Sequence, residues 1–278
     1  MEFPFFSIVI PVLNEKKVLP HLLKDLQKQT FGDFDIYIVD GGSTDGTIKI
    51  VEKMIANDGR LHLLRSKVKN VGYQRNMGGK KSTGQYIIFF DADTGIPEYF
   101  LSGLHYQCIK EKLEAFTNFA IPDSENAKDK LFMHATNIIF DSAAKLKSPL
   151  CFGSCIGVQR SVFVSTHGFD ESIHFMEDTE FAKRVVRSGF RFSVLKEPVY
   201  VYSLRRMRKE GNILMYRNIV PTAKALLLDK KITAPLPGYP MLGGTYFDRV
   251  TEKKQHTQSY LRLKNLVDSV RELIREER

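Results

Sequence analysis

Within its first ninety residues the chain repeats one pattern, a short apolar run suited to a strand followed by a segment suited to a helix. Phe6 to Val12 is a continuous β-type run, and in Glu15 to Gln29 the residues Val18, Leu19, Leu22, Leu23 and Leu26 recur at helical spacing. Asp35 to Asp40 (DIYIVD) is a second strand, residues 41 to 46 (GGSTDG) a loop, and Thr47 to Ala56 the next helix. Leu61 to Arg65 is a third strand, Gly72 to Lys81 a helix, and Tyr86 to Phe90 (YIIFF) a fourth strand. Short apolar strands alternating with amphipathic helices predict βαβ units around a mostly parallel sheet covered on both faces. The expected class is therefore α/β. Past Asp93 the pattern loosens: Ile96 to Ile109 and Ser124 to Phe140 read as helices, and Glu114 to Ile121 as a strand. Glu177 to Ser188 is a helix with Phe181, Val185 and Val186 on one face, stopped by Gly189. Phe190 to Leu195 and Val199 to Ser203 read as two short strands. Lys230 to Tyr246 is loop chemistry that separates the body from a last helix near Gln258 to Glu277.

A length of 278 residues with 43% hydrophobic content suffices for one large domain with an appended segment. Cys108, Cys151 and Cys155 are too few and too unevenly placed for a disulfide framework, and Cys151 and Cys155 lack the further ligands of a zinc site; buried small hydrophobes are expected. The N-terminus has no basic leader, and its apolar stretch Phe3 to Leu13 is short and holds two prolines, so a strand and a cytoplasmic location are expected. The net charge of +9 favours an anionic partner, although solvated basic faces account for it equally well.

Asp40 and Asp91 share a position type: each ends a predicted parallel strand, the edge where open α/β sheets bind ligands. Asp40 with its Gly-Gly-Ser loop can accept hydrogen bonds from a ribose or base, or cap a tight turn with Asp45 capping the next helix. Asp91-Ala92-Asp93 follows the apolar YIIFF strand, and two carboxylates there would repel each other without a cation. Mg²⁺ is commonly held by one or two carboxylates plus substrate phosphates, so a diphosphate is the matching ligand. Glu177-Asp178 opens a helix; acids there complement the dipole, and such a pair also suits a general base.

The stretches SIVIPVLNE (7 to 15), DGGSTDGT (40 to 47), RNMGGKKSTGQYIIFFDAD (75 to 93) and HGFDESIHFMEDTEFAKRVVRSGFRF (167 to 192) resemble, in order and spacing, the successive motifs of family 2 glycosyltransferases. The resemblance covers roughly residues 5 to 205. It implies the GT-A fold, Rossmann-like with helices on both faces of the sheet, and inverting transfer of a sugar from a nucleotide-diphosphate donor. It implies that Pro11, Asn14 and Glu15 line the nucleotide, that Asp40 binds base or ribose, and that Arg75 lies near the nucleotide or its phosphates. Asp91 would contact ribose or sugar, Asp93 would ligate Mg²⁺ or Mn²⁺, and Asp178 would be the base, with Glu177 supporting the acceptor.

The chain departs from processive members of that family, having no Trp and no membrane-spanning helices in the region after the base, so transfer of a single sugar to a glycan or lipid-linked hydroxyl or phosphate is expected. In that region Arg205 and Arg206 belong to a dense cationic run suited to clamping a phosphate, or to a solvated helix start. The expected division is a catalytic domain over 1–205, with a nucleotide-sugar half to about 95 and an acceptor half from 96, and a C-terminal helical extension over 206–278. The stripe Leu263, Leu266, Val267, Val270, Leu273 and Ile274 suits packing on the body, a homodimer contact, or peripheral docking at the cytoplasmic membrane face, for which Ile213 to Leu228 is a second candidate. Two other functions compete. A sugar nucleotidyltransferase would want a glycine-rich basic loop where this chain reads PVLNEKK, and a non-catalytic nucleotide or nucleic-acid binder would not need Asp178. No nucleic-acid partner is expected, because the basic cluster lacks interleaved aromatics.

Overall fold

The computed structural model describes residues 3–209, 233 and 243–248. Seven strands form one sheet: β1 (Phe6–Val12), β2 (Phe34–Asp40), β3 (Leu61–Arg65), β4 (Tyr86–Phe90), β5 (Ala115–Pro122), β6 (Cys155–Gln159) and β7 (Phe192–Tyr202), in the order β3-β2-β1-β4-β6-β5-β7. The first four are mutually parallel, as their apolar runs predict. β6 lies antiparallel between β4 and β5, and β7 pairs parallel with β5 at the sheet edge.

The helices are α1 (Leu19–Gln27), α2 (Thr47–Ile55), α3 (Val71–Lys81), α4 (Phe100–Glu111), α5 (Ala127–Lys145), α6 (Arg160–Ser165) and α7 (Glu177–Arg187). Side-chain alternation along the strands feeds two cores. Phe6, Ile8 and Ile10 of β1 pack with Leu19, Leu22 and Leu26 of α1 and with Leu101 and Leu104 of α4 on one face. Val9 of the same strand packs on the other, with Phe163 of α6 and Phe181 and Val185 of α7. All three cysteines are buried and free.

The structure differs from the sequence reading in three places. β6 and α6 were not expected; CIGVQ is short and is followed directly by the helix, with no turn residue to announce either. The two short strands expected at the end of the sheet are one strand, β7, which runs through Pro198. Pro198 falls where the register with β5 shifts between Leu195 and Tyr200, a bulge at which no ladder N–H is asked of it. Residues 243–248, at the end of the stretch read as a separating loop and just beyond it, pack on the body, Gly244 donating to the Leu13 carbonyl at 2.9 Å. The amphipathic helix expected near 258–277 and the candidate lipid contact at 213–228 lie outside the described residues. Among the described residues no helix is long and apolar enough to cross a membrane.

α3 positions the site, and it does so without an apolar stripe. Asn70 caps it, its Oδ1 accepting the Tyr73 N–H at 2.8 Å. The face it buries carries Gly72, Gln74, Arg75, Asn76, Gly78 and Gly79. At Gly78 a Cβ would stand 2.3 Å from Val9 Cγ1, so the missing side chain is what lets α3 lie close on β1 and β2 and deliver Gln74 and Arg75 under the strand ends. Gly78→Ala should therefore force β1 and α3 apart at a cost of about 1–3 kcal/mol. Urea unfolding should show the loss, and unchanged stability would mean that the helix does not need this close approach.

Candidate active site

The C-terminal ends of β1 and β4 open onto a cleft lined by Pro11 and Glu15 on the β1 side and by Asp91 and Asp93 after β4, with Arg205 and Arg206 at its margin. Gln74 of α3 also lines it, and its amide donates to the Val12 and Val39 carbonyls at 3.1 and 2.7 Å, locking the ends of β1 and β2 together.

Asn14, in the loop after β1, and Asp40, the last residue of β2, do not line the cleft walls. Asn14 adopts a left-handed conformation at φ 57; its N–H donates to Ser43 Oγ and its Oδ1 accepts the Thr44 N–H at 2.7 Å. Asp40 is buried at the end of β2, where its carboxylate accepts the Gly42 and Ser43 N–H groups, both at 3.0 Å. Asp45 accepts from the Thr47 N–H and hydroxyl just before α2, whose N-cap position is Gly46 and not the aspartate expected. These bonds fix the loop; a ribose contact by Asp40 would use the remaining capacity of a carboxylate with about four acceptor directions.

Arg75 is buried beneath the cleft and does not line it: its side chain is 2% exposed. Nη1 lies 2.7 Å from Glu177 Oε1, and Nη2 lies 2.9 Å from Asp91 Oδ1 and 3.2 Å from the Gly153 carbonyl. The Phe169 ring lies under the guanidinium, 5.2 Å away. Burial alone would lower its pKa, but Asp91, Glu177 and Asp178 outweigh burial and hold the charge. One buried cation therefore joins the strand that carries Asp91 to the helix that carries Asp178, and Glu177, thought to support an acceptor, is occupied by Arg75.

Asp178 lies in the first turn of α7, its Oδ1 accepting the Thr179 N–H at 2.7 Å. Burial and the adjacent Glu177 push its carboxyl up to about 7; Arg75 opposes the shift and Asp91 adds to it. The scaffold thus gives Asp178 an affinity for protons suited to a base working near neutral pH.

Arg205 crosses the cleft, with Nη1 3.0 Å from Glu15 Oε2, Nη2 3.1 Å from Glu15 Oε1, and Nε 2.6 Å from Asp93 Oδ2. Burial pushes the Glu15 carboxyl up to about 7 against the pull of Arg205. Asp93 is raised by burial as well, Arg205 opposing and Asp91 adding. Among the described residues no three His, Cys, Asp or Glu side chains could hold a metal ion by themselves. Asp91 and Asp93 nonetheless fit a hard cation that takes its other oxygens from phosphate and water: both line the cleft, and the Asp91 side chain is 38% exposed beyond its bond to Arg75. Gln74, Ser154, Tyr202 and Phe247 also line the cleft and were not anticipated. Gln74 sits next to Arg75 in the motif RNMGG's approach, but Phe247 lies in a stretch with no periodicity to mark it.

The model of the family described as "Glycosyl transferase family 2" matches residues 7–165, more than half of the chain. The chain belongs to this family. A "PGL/p-HBAD biosynthesis glycosyltransferase" of Mycobacterium tuberculosis is 41% identical over 99 residues, 35% of this chain and 39% of that protein. The "Poly(ribitol-phosphate) beta-N-acetylglucosaminyltransferase TarS" of Staphylococcus aureus is 26% identical over 217 residues, 72% of this chain and 36% of that protein. The chain spans well under two thirds of either relative. Among solved structures, S. aureus TarS 1-349 in complex with UDP superposes with a TM-score of 0.59 at 22% identity, covering 71% of this chain and 60% of that one. The mannosyltransferase PcManGT from Pyrobaculum calidifontis, in complex with GDP-Man and Mn²⁺, superposes at 0.60 with 18% identity, covering 73% and 57%. The fold is GT-A, as the resemblance implied.

Removing the Arg75 charge would leave Asp91 and Glu177 facing each other with no counterion. Arg75→Met should cost about 3 kcal/mol, the lower end for breaking a buried pair because Asp91 is partly solvated. Adding Glu177→Gln should restore part of it, as urea unfolding of the single and double variants would register.

Proposed function

We propose that the protein transfers a single sugar, with inversion, from a nucleotide-diphosphate sugar to a hydroxyl or phosphate of a glycan or lipid-linked acceptor. The observation that carries this reading is the convergence of Asp91, Asp93, Glu15 and Arg205 on one cleft, with Arg75 tying Asp91 to Glu177, the neighbour of Asp178. A donor bound along the ends of β1 and β4 would bring its diphosphate to the cleft side of the Arg205 guanidinium, beside the Asp91–Asp93 pair that Arg205 contacts. The names of relatives and neighbours, which mention UDP, UDP-GlcNAc and GDP-Man, support a nucleotide-sugar donor.

In this reading the nucleotide-sugar half runs to about residue 95 and the acceptor half from 96 to 205. Asp93, with Asp91 beside it, would hold Mg²⁺ or Mn²⁺, which supplies charge neutralisation for the leaving diphosphate. Asp178 takes the proton of the acceptor hydroxyl as that oxygen attacks the anomeric carbon from the side opposite the departing phosphate. Glu177 keeps the helix start in register through Arg75. Arg75 meets the donor only through Asp91, whose free oxygen it orients toward the cleft. A base works in its deprotonated form, so the raised pKa of Asp178 makes turnover climb as pH rises through about 7 and fall away below it.

A thermal-shift screen of UDP-, GDP- and dTDP-sugars with and without Mn²⁺ tests the donor class; no stabilisation by any of them would count against it. Asp178→Asn should keep donor affinity while turnover drops by about 10²–10⁴. Near-parental turnover would remove Asp178 from the role of base. Asp93→Ala should abolish the gain in nucleoside diphosphate affinity that Mn²⁺ brings, read by calorimetry; an equal gain in the variant would remove Asp93 as ligand.

A further inference from the structure

Residues 243–247 lie far beyond Arg205 in the chain yet seat against the loop that follows β1. Gly244 donates its N–H to the Leu13 carbonyl at 2.9 Å. A Cβ would stand 1.8 Å from the Leu13 oxygen at Gly243 and 1.7 Å from the Asn14 oxygen at Gly244, and Gly243 has φ 57, so the backbone can lie flush here only because both residues are glycine. Two turn bonds, Tyr246 N–H to the Gly243 carbonyl at 3.0 Å and Phe247 N–H to the Gly244 carbonyl at 2.9 Å, then coil the segment back toward the cleft. Its aromatic rings meet the cationic run: Arg205 stands over Phe247 at 4.1 Å, and Arg206 and Lys209 stand over Tyr246 at 5.2 and 4.6 Å. Lys209 also donates to the Tyr246 carbonyl.

The physical effect falls on Arg205. A long arginine side chain loses rotamer freedom when it is fixed, and fixing it before a ligand arrives removes that cost from binding. A ring against the flat face of a guanidinium holds it while leaving its N–H edge available. Nη2 donates to Glu15 Oε1 at 3.1 Å, while Nη1 and Nε stand 3.0 and 2.6 Å from Glu15 Oε2 and Asp93 Oδ2 as ion-pair contacts outside hydrogen-bond geometry. A guanidinium carries five N–H donors, so donors remain for an anion entering the cleft.

We propose that the Gly243–Phe247 segment is a positioning element for the donor's diphosphate: the glycine pair seats it on the Leu13 and Asn14 carbonyls, and Phe247 holds the Arg205 guanidinium in place to meet the phosphates. This rests on the reading of the cleft as the donor site. Phe247 is a positioning residue, acting through Arg205, and its effect is confined to ligands that carry phosphate.

Calorimetric titration of the full chain with UDP, GDP and dTDP in Mn²⁺ first identifies the nucleoside diphosphate that binds, and its nucleoside serves as the phosphate-free control. Phe247→Leu keeps an apolar side chain of similar bulk without the ring face, and should weaken the diphosphate about tenfold while leaving the nucleoside unchanged. Phe247→Tyr should restore parental affinity, Gly244→Ala should match Phe247→Leu, and Phe247→Leu added to Arg205→Ala should cost nothing further. Parental diphosphate affinity in Phe247→Leu, an equal loss for the nucleoside, a loss that adds to that of Arg205→Ala, or an Arg205→Ala protein that binds as the parent would each overturn the proposal. A parental protein that binds none of the three diphosphates would overturn the donor reading itself, and the positioning role with it.

Discussion

The site depends on one buried positive charge. Arg75 reaches from α3 to Asp91 at the end of β4 and to Glu177 at the start of α7, with hardly any contact with water. Buried charges of one sign are untenable, and a buried pair with an uncompensated partner is worse than none. A guanidinium suits the place because its planar fork can serve two carboxylates and a carbonyl at once and does not lose its proton. The polar face of α3 follows from this need. A helix that must carry glutamine, arginine and asparagine into the interior cannot also present an apolar stripe, so glycine at the contact lets backbone packing stand in for side-chain packing.

That arrangement has an electrostatic result at the reacting edge. Burial and the adjacent Glu177 raise the proton affinity of Asp178, with Arg75 opposing and Asp91 adding. On the other side of the cleft Arg205 offsets Glu15 and Asp93 in the same partial way. Arg75 beneath the cleft and Arg205 on its wall thus meet five carboxylates between them, Asp91, Glu177, Asp178, Glu15 and Asp93. Such an excess of carboxylate attracts further cations and, with them, anionic groups able to bridge, which fits a ligand carrying both phosphate and metal.

Much of this was readable in the amino-acid order, for a reason particular to the first half. β1, β2 and β4 are buried on both faces, so each is a dense apolar run, and Asp40 and Asp91 stand out as the first charges after two of them. The helix beginning at Glu177 was equally plain from its spacing. What failed was any statement about partners far apart in sequence. Arg75 was expected near phosphates because its motif resembles a donor-binding one; its counterion Glu177 is 102 positions away, and no local pattern reports such a distance. β6 escaped notice because a five-residue antiparallel insertion leaves neither a period nor a turn, and β7 was divided in two at Pro198, where the strand bulges out of register with β5 before pairing again. Phe247 had no signal at all, since its use depends on backbone contacts made by two glycines before it.

The same long reach of Arg75 bears on how the molecule can be divided. A fragment ending after β4 would contain the guanidinium, Asp91 and most of the cleft wall, yet it would lack Glu177, the Gly153 carbonyl and the Phe169 ring that enclose the charge. It would also lack β6, whose ladder covers β4. The first four strands therefore do not enclose their own buried charge, and a graft at the midpoint of this sheet would have to bring a matching counterion with it.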